Sequence, residues 1–258
     1  MLAEVRRDQL LEIVNERQNV STEELSRLLH VSRVTVRSDL ALMEKLGKIR
    51  KVHGGAISTH MQLDREIPIT EKTKRNTEAK QFIAAMALPY IHEGDVVILD
   101  SGTTTYQLAL LLKNMDVTVI TNDINIGHFL AAEGKGNLIM SGGVAMRNVL
   151  TLKGSVTVNF FQSIQADMVF IGCDAIDWEF GISNRSFEEV AVKRAMLHAA
   201  KKVIALTDHS KFYQMAMARV CTLHELDLLI TDYLTEEEIK KCKKKKLPFL
   251  TKEVSSIE

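Results

Sequence analysis

The sequence predicts an α/β protein with a small α+β domain ahead of it. Three observations carry that reading. Residues 1–57 hold three short helical patterns followed by a basic strand pair turned by glycines. From Thr77 onward, short apolar strands alternate with helical stretches, the order that builds a mostly parallel sheet with helices on both faces. Between them, Ser58 to Asn76 carries Pro68 and many charges with little periodicity. The expected division is therefore 1–57, a linker at 58–76 of which part packs on the second domain, and that second domain at 77–258.

Composition sets bounds on function. At 258 residues and 46% hydrophobic content the chain is globular. Its 33 Lys and Arg balance 33 Asp and Glu, so attraction to a polyanion has to come from local clustering. The start, Met1-Leu-Ala-Glu-Val-Arg-Arg-Asp8, lacks the apolar core of a secretory signal. No apolar run approaches the roughly 20 residues that span a membrane. Cys173, Cys221 and Cys242 form no CxxC pair, and their odd number argues against a disulfide framework. The expectation is a cytoplasmic protein with buried or incidental thiols, no metal, no cofactor and no membrane partner.

In the first segment, Leu10, Ile13 and Val14 share one helical face between about Glu4 and Arg17. Asn19-Val20 reads as a turn. Ser21-Thr22-Glu23-Glu24 has the signature of a capping box, and Leu25, Leu28 and Leu29 are the expected buried stripe of a second helix. His30-Val31 leads to Ser32, a good N-cap for a third helix. There Val36, Leu40 and Met43 fall on one side with Leu42 and Leu46 on its flank, while Val34, Arg37, Ser38, Ala41 and Lys45 fall opposite. Arg can pair bidentately with guanine, Ser can donate or accept, and Val or Ala can meet a thymine methyl. Gly47 is a plausible C-cap. Lys48-Ile-Arg-Lys-Val-His53 alternates basic and apolar residues, Gly54-Gly55 turns, and Ala56-Ile57 returns. The whole is a winged helix-turn-helix. From Arg27 to His60 seven Lys or Arg stand against two acids, Asp39 and Glu44, which is how a neutral protein can still bind phosphate. Ser21, Thr22, Ser32, Arg33, Val34, Thr35, Arg37, Ser38, Lys48, Arg50, Lys51 and His53 are the candidate DNA contacts. Asp39 is expected in a local salt bridge, and His53 is equally a structural residue of the wing.

Val20-Ser-Thr-Glu-Glu-Leu-Ser26, Val31-Ser-x-x-Thr-Val-Arg37, Asp39-Leu40 and Arg50-x-x-His-Gly-Gly-Ala56 resemble the DeoR family of bacterial transcription regulators. The family usually carries two successive arginines where this chain has Arg37-Ser38. Arg65-Glu66 and Lys72 sit where the family has a similar segment.

Downstream, helices are expected over Thr77–Tyr90, Gln107–Lys113, Ile124–Ala132, Val156–Ile164, Phe187–Ala200 and Glu236–Lys243. Strands are expected over Asp95–Leu99, Val117–Ile120, Asn137–Met140, Met168–Ile171, Val203–Leu206 and Leu228–Thr231. Ligands of such sheets bind beyond the carboxyl ends of the strands. Asp100-Ser-Gly-Thr-Thr-Thr105 follows a buried strand and opens a helix. Its glycine, hydroxyls and helix-terminal amides suit a phosphate, though neither a P-loop nor a G-x-G-x-x-G fingerprint is present. Thr121-Asn122-Asp123, Ser141-Gly142-Gly143, Gly172-Cys173-Asp174 and Thr207-Asp208-His209-Ser210-Lys211 follow other strands. Singly each is ordinary turn chemistry. Together they point to a polyhydroxylated, anionic ligand.

Asp100-Ser-Gly-Thr-Thr104, Thr121-Asn122, Gly142-Gly143, Asp167-x-x-Phe-Ile-Gly172, Asp208-x-Ser-Lys211 and Ile230-Thr-Asp232 resemble the DeoR effector domain. That resemblance implies a Rossmann-like fold similar to ribose-5-phosphate isomerase and the coenzyme A transferases, with a sugar phosphate as effector. Ser101, Gly102, Thr103, Thr104 and Thr105 would hold its phosphate. Asp174 and Lys211 would address its hydroxyl or carbonyl end, and Asp100, Asn122, Gly142 and Gly143 would complete the site. Ala175 stands where the family often has glycine. The function expected is a repressor of carbohydrate genes, binding operator DNA as a homodimer or homotetramer under control of a phosphorylated sugar. The alternative is a sugar-phosphate isomerase or transferase fused to a DNA-binding module, with Asp174 as base and Lys211 as electrostatic partner. RNA binding is a weaker third reading, without an RNP-like aromatic motif. The Lys240–Lys246 run is read as the solvated end of the last helix.

Overall fold

The computed structural model describes residues 3–17, 19–45, 48–52, 54–58 and 68–252, apart from the Glu4 side chain. The chain forms two compact units, Met1–Asp64 with Phe212–Met215, and Arg65–Lys211 with Ala216–Glu258.

In the first unit α1 (Ala3–Arg17) is followed by β1 (Asn19–Ser21), α2 (Thr22–Leu28), α3 (Arg33–Lys45), β2 (Ile49–Val52) and β3 (Gly55–Ser58). Leu10 and Val14 of α1, Leu25 of α2 with its C-cap Leu29, and Val36, Leu40 and Met43 of α3 converge with Val20, Ile49 and Ala56 in one core. Leu28, expected in that stripe, is exposed, while its neighbours Leu25 and Leu29 are buried. The turn expected at Asn19-Val20 is instead a third strand, giving the order β1-β3-β2. Gly55 makes this possible. A Cβ there would lie 2.3 Å from the Val20 carbonyl oxygen, so only glycine lets β1 approach β3. Gly54, at φ 88°, turns the hairpin. Ser21 caps α2 by accepting from the Glu24 amide at 3.1 Å, but the Glu24 carboxylate pairs with Arg17. Ser32 caps α3, accepting from the Thr35 amide at 3.1 Å. Asp39 is buried in a salt bridge with Arg6 (2.7 Å) and Arg7 (3.3 Å), as expected of a packing residue. Leu46, Gly47, His53, His60, Arg65 and Glu66 lie outside the described residues.

The second unit opens with α4 (Ile69–Lys74), inside the segment read as linker, and α5 (Thr77–Ala87), which ends in a 3₁₀ turn over Leu88–Tyr90. Then come β4 (Val96–Leu99), α6 (Thr103–Leu112), β5 (Thr118–Thr121), α7 (Ile124–Glu133) and β6 (Asn137–Met140). A hairpin of β7 (Val144–Met146) and β8 (Thr151–Lys153) leads to α8 (Ser155–Gln162) and β9 (Ala166–Ile171). β10 (Ala175–Asp177), β11 (Gly181–Asn184) and α9 (Phe187–His198) precede β12 (Ala200–Leu206). β13 (Ala218–Cys221), β14 (Leu228–Ile230), α10 (Glu236–Lys245) and β15 (Phe249–Leu250) complete the described chain.

Seven strands form one parallel sheet in the order β15-β14-β12-β9-β4-β5-β6. The hairpin β7-β8, the small antiparallel sheet β10-β11-β13 and the edge strand β15 were not expected, since two- to four-residue strands carry almost no periodicity of their own. Ala175, where a glycine was expected to matter, is buried at the start of β10 opposite Ser183, an extended position that any residue adopts.

Sheet order decides where a ligand can sit. From β4 the chain winds outward through β5 and β6, and from β9 it winds the other way through β12, β14 and β15. The order reverses between β4 and β9, and crevices beyond the strand ends at such a reversal are where doubly wound folds bind ligands.

Candidate functional site

Two surfaces carry the predicted chemistry. On α3 the outward face is Val34, Arg37, Ser38, Ala41 and Lys45, all exposed, with Val34 at 75%. An apolar side chain that open on a capped helix, beside a guanidinium and a hydroxyl, matches the donor, acceptor and methyl pattern of a major-groove edge. Ser32 and Thr35 are hydrogen-bonded to each other at 2.8 Å, and Arg33 pairs with Glu23 at 2.7 Å across exposed surface. Lys48 and Lys51 are exposed, and Arg50 is half-buried. Thr22 is buried, so its hydroxyl is not offered to the surface; its amide donates to Gly54 at 2.7 Å.

The second surface lies at the β4/β9 reversal. The loop after β4 and the loop after β9 are bound together there, with the Gly172 amide donating to Asp100 Oδ2 at 2.9 Å. Asp100 and Lys193 form an ion pair, 2% and 4% exposed, and Lys193 Nζ also donates to the Gly172 carbonyl at 3.0 Å. Burial pushes the Lys193 ammonium down, but Asp100 and Glu189 outweigh it and hold it above an ordinary lysine. Asp100 is thus committed inside the protein, and its partner on α9 was invisible to motif reading.

The phosphate-loop residues divide. Ser101 is anchored twice, its amide on Asn122 Oδ1 at 3.2 Å and its hydroxyl on Asp123 Oδ2 at 2.8 Å. Burial raises the Asp123 carboxyl, against its hydrogen bonds from Ile126 and Ser101. Thr105 Oγ1 donates to Gly102 at 2.9 Å, and Thr104 is buried. Gly102 leads into α6, whose first-turn amides, from Thr103 on, have no intrahelical acceptor and concentrate positive potential. Asn122 stitches the rim by donating to Thr151 Oγ1 (2.8 Å) and the Leu152 carbonyl (3.1 Å) of β8. Gly143, at φ 122°, sits where a Cβ would be 2.1 Å from Thr157 Oγ1. The Gly142 carbonyl accepts from that hydroxyl at 2.8 Å.

Beyond the end of β9 Asp174, 8% exposed, accepts from Lys72 Nζ of α4 at 3.0 Å. Burial opposes its charge, yet Lys72, Arg185 and Lys211 hold its carboxyl well below the usual carboxylate range. Burial likewise works against Lys72, and Asp174 more than restores it. Lys211, half-buried, ends the turn after β12. Asp208 in that turn accepts from Asn76 Nδ2 at 2.8 Å. Lys80 is buried too, donating to the Lys72 and Arg75 carbonyls, both at 2.5 Å; burial brings its amine down to about 8. Cys173 bonds Thr207 and is pushed up to about 11 by burial, which makes it an inert thiol. Lys80 and Lys193 are the residues that sequence reading left out, and Lys72 it placed only in the segment read as linker, with no role at the site. The one available signal was that Lys193 repeats the spacing of the buried positions on its helix. Among the described residues no cluster of three or more His, Cys, Asp or Glu could hold a metal, and no helix is long and apolar enough to cross a membrane.

Residues 6–62 match the family model for the DeoR-like helix-turn-helix domain, and residues 75–233 match that for the DeoR C-terminal sensor domain. The chain belongs to the DeoR family. Among curated DeoR-family relatives, a putative aga operon transcriptional repressor of Escherichia coli O157:H7 is 36% identical over 230 residues, covering 88% of this chain and 85% of that protein. The glycerol-3-phosphate regulon repressor of Haemophilus influenzae is 30% identical over 256 residues, covering 93% and 96%. Among solved structures, ribose 5-phosphate isomerase A of Methanocaldococcus jannaschii is similar at 17% identity and TM-score 0.40, over 53% of this chain and 55% of that one.

Proposed function

We propose that this DeoR-family regulator represses carbohydrate genes by binding operator DNA through α3 and the β2–β3 wing, under control of a phosphorylated sugar bound at the β4/β9 reversal. Residues 1–57 act as the reader, 58–76 as the linker and 77–258 as the sensor. The observation that carries the effector reading is the joining of the Asp100–Thr105 and Gly172–Asp174 loops at the reversal. It brings the loop that opens α6 together with two buried carboxylates, Asp100 paired with Lys193 and Asp174 paired with Lys72. The amides suit phosphate, and Asp174 suits donating hydroxyls. The names of the two curated relatives, one for an aga operon and one for a glycerol-3-phosphate regulon, support a carbohydrate or polyol phosphate.

The enzyme alternative asks Asp174 to act as a general base. A carboxylate stabilised well below its usual range is a weak base, and efficient bases sit near the working pH. In the reader, Arg37 and Ser38 contact base edges, Val34 meets a thymine methyl, and Lys48 and Lys51 contact phosphates. The operator is bound by a homodimer or homotetramer, which size-exclusion chromatography with light scattering measures directly.

The test is binding to duplex DNA from upstream of the protein's own gene, with a panel of sugar phosphates screened by melting temperature and by DNA release. Arg37→Ala should weaken the duplex roughly 5- to 150-fold, the worth of one bidentate base contact. Unchanged affinity removes the reader assignment. Turnover of any panel member at enzymatic rates removes the regulator-only reading.

A further inference from the structure

The helix that opens the second unit, α4, is held mainly by polar contacts. None of the six residues of α4 is buried, so apolar packing does not fix it. Its anchors are polar. The Ile69 amide donates to the Asn148 carbonyl at 2.9 Å. Lys80 Nζ captures the Lys72 and Arg75 carbonyls at the helix end. Lys72 Nζ reaches Asp174 at 3.0 Å. Lys72 is therefore at once one of the helix's holds on the sensor and a cation at the β4/β9 reversal. α4 also packs against α6, the helix whose first turn is the proposed phosphate seat.

An incoming phosphorylated sugar changes this balance. It brings about two negative charges to a place where Lys72 serves one carboxylate. Its hydroxyls can donate to the Asp174 oxygen that Lys72 now occupies, so the carboxylate is not left bare. Arg185 and Lys211 continue to compensate Asp174. We propose that Lys72 is a ligand-binding cation that exchanges partners, from Asp174 in the empty sensor to the phosphate in the bound one, and so carries α4 with it. α4 follows directly on residues 58–68, by which the chain arrives from the reader, so a ligand-dependent position for this helix couples occupancy to that segment. The inference rests on the phosphorylated-sugar reading above and adds to it a residue and a means of response.

The experiment uses the full chain, with inorganic phosphate as the probe because it has no hydroxyl pattern that would require Asp174. A merely structural bridge makes both of its partners equivalent; a partner exchange makes them opposite. Lys72→Met should weaken phosphate at least tenfold, and Asp174→Asn, which removes the competitor, should tighten it about threefold or more. Lys72→Arg, retaining the cation, should bind within about threefold of the natural protein. Amide exchange across residues 69–76 should change on phosphate binding in the natural protein and not in Lys72→Met. If Lys72→Met leaves affinity unaltered, or if Asp174→Asn weakens phosphate as Lys72→Met does, the exchange is refuted while phosphate binding stands. Should Lys72→Met not fold, Asp174→Asn still decides by its sign, since an exchange makes it tighten phosphate and a structural bridge makes it weaken phosphate. If neither phosphate nor any sugar phosphate raises the melting temperature of the natural protein, both the effector reading and the exchange fall.

Discussion

Replacing Lys193 by Met should expose how much the sensor depends on one buried charge pair. The methionine keeps most of the volume of the lysine stem and removes the ammonium. Asp100 then keeps the Gly172 amide at 2.9 Å but loses its only counter-charge among the described contacts, and the Gly172 carbonyl loses its donor. With both residues almost wholly buried, water cannot compensate. Removing one partner of such a pair costs about 3–5 kcal/mol, because an uncompensated buried charge is left behind. For a unit of this size that is a fall in Tm of roughly 6–20 °C. The chain has a single tryptophan, Trp178, buried beside β10, so its fluorescence reports unfolding of the sensor separately from the reader. Asp100→Asn with Lys193→Met should cost less than the two single changes summed, since the neutral pair leaves no bare charge. A loss under about 1 kcal/mol for Lys193→Met, or strict additivity, would refute the reasoning.

Other expectations concern separate parts of the molecule. Gly143→Ala places a Cβ 2.1 Å from Thr157 Oγ1 at φ 122°, and should cost at least about 1–3 kcal/mol from backbone strain alone, read as a Tm fall in the sensor transition. His209 is raised by its hydrogen bond to the buried Glu238, and Glu238, which burial would raise, is instead lowered by His209. The histidine's contribution is full below its ordinary value of 6.5 and lost as pH rises through its raised one. The glutamate's is full above 4.5 and lost as pH falls through its lowered one. The stability difference between the natural protein and His209→Asn, measured by urea unfolding, should therefore peak between these limits and shrink on either side. Lys48→Ala and Lys51→Ala should each reduce the slope of log affinity against log salt for duplex DNA by about 1, without altering sequence preference.

Much of the first unit was legible because its information is local. Caps at Ser21 and Ser32, the apolar faces of α1 and α3, and the basic hairpin all follow from neighbours within a few positions. The strand–helix alternation of the second unit was legible for the same reason, and with it a parallel sheet. β1 escaped because a three-residue strand is defined by its partner, and only the close approach allowed by Gly55 reveals that partner.

The sequence by itself determined which residue types stand at the strand ends: Asp100 to Thr105, Asn122, Gly142 and Gly143, Asp174 and Lys211. It did not determine which of them remain available. Asp100 is consumed by Lys193, 93 positions away, and Asn122 by Thr151 and Leu152 across the rim. Asp174 is met by Lys72, from a stretch whose lack of periodicity read as linker. Strand order is likewise nonlocal, so the reversal between β4 and β9 that locates the crevice appears only when the sheet is assembled. Capping and amphipathicity are set by a turn or two of chain, whereas the pairing of buried charges depends on which distant segments the fold brings within hydrogen-bond reach.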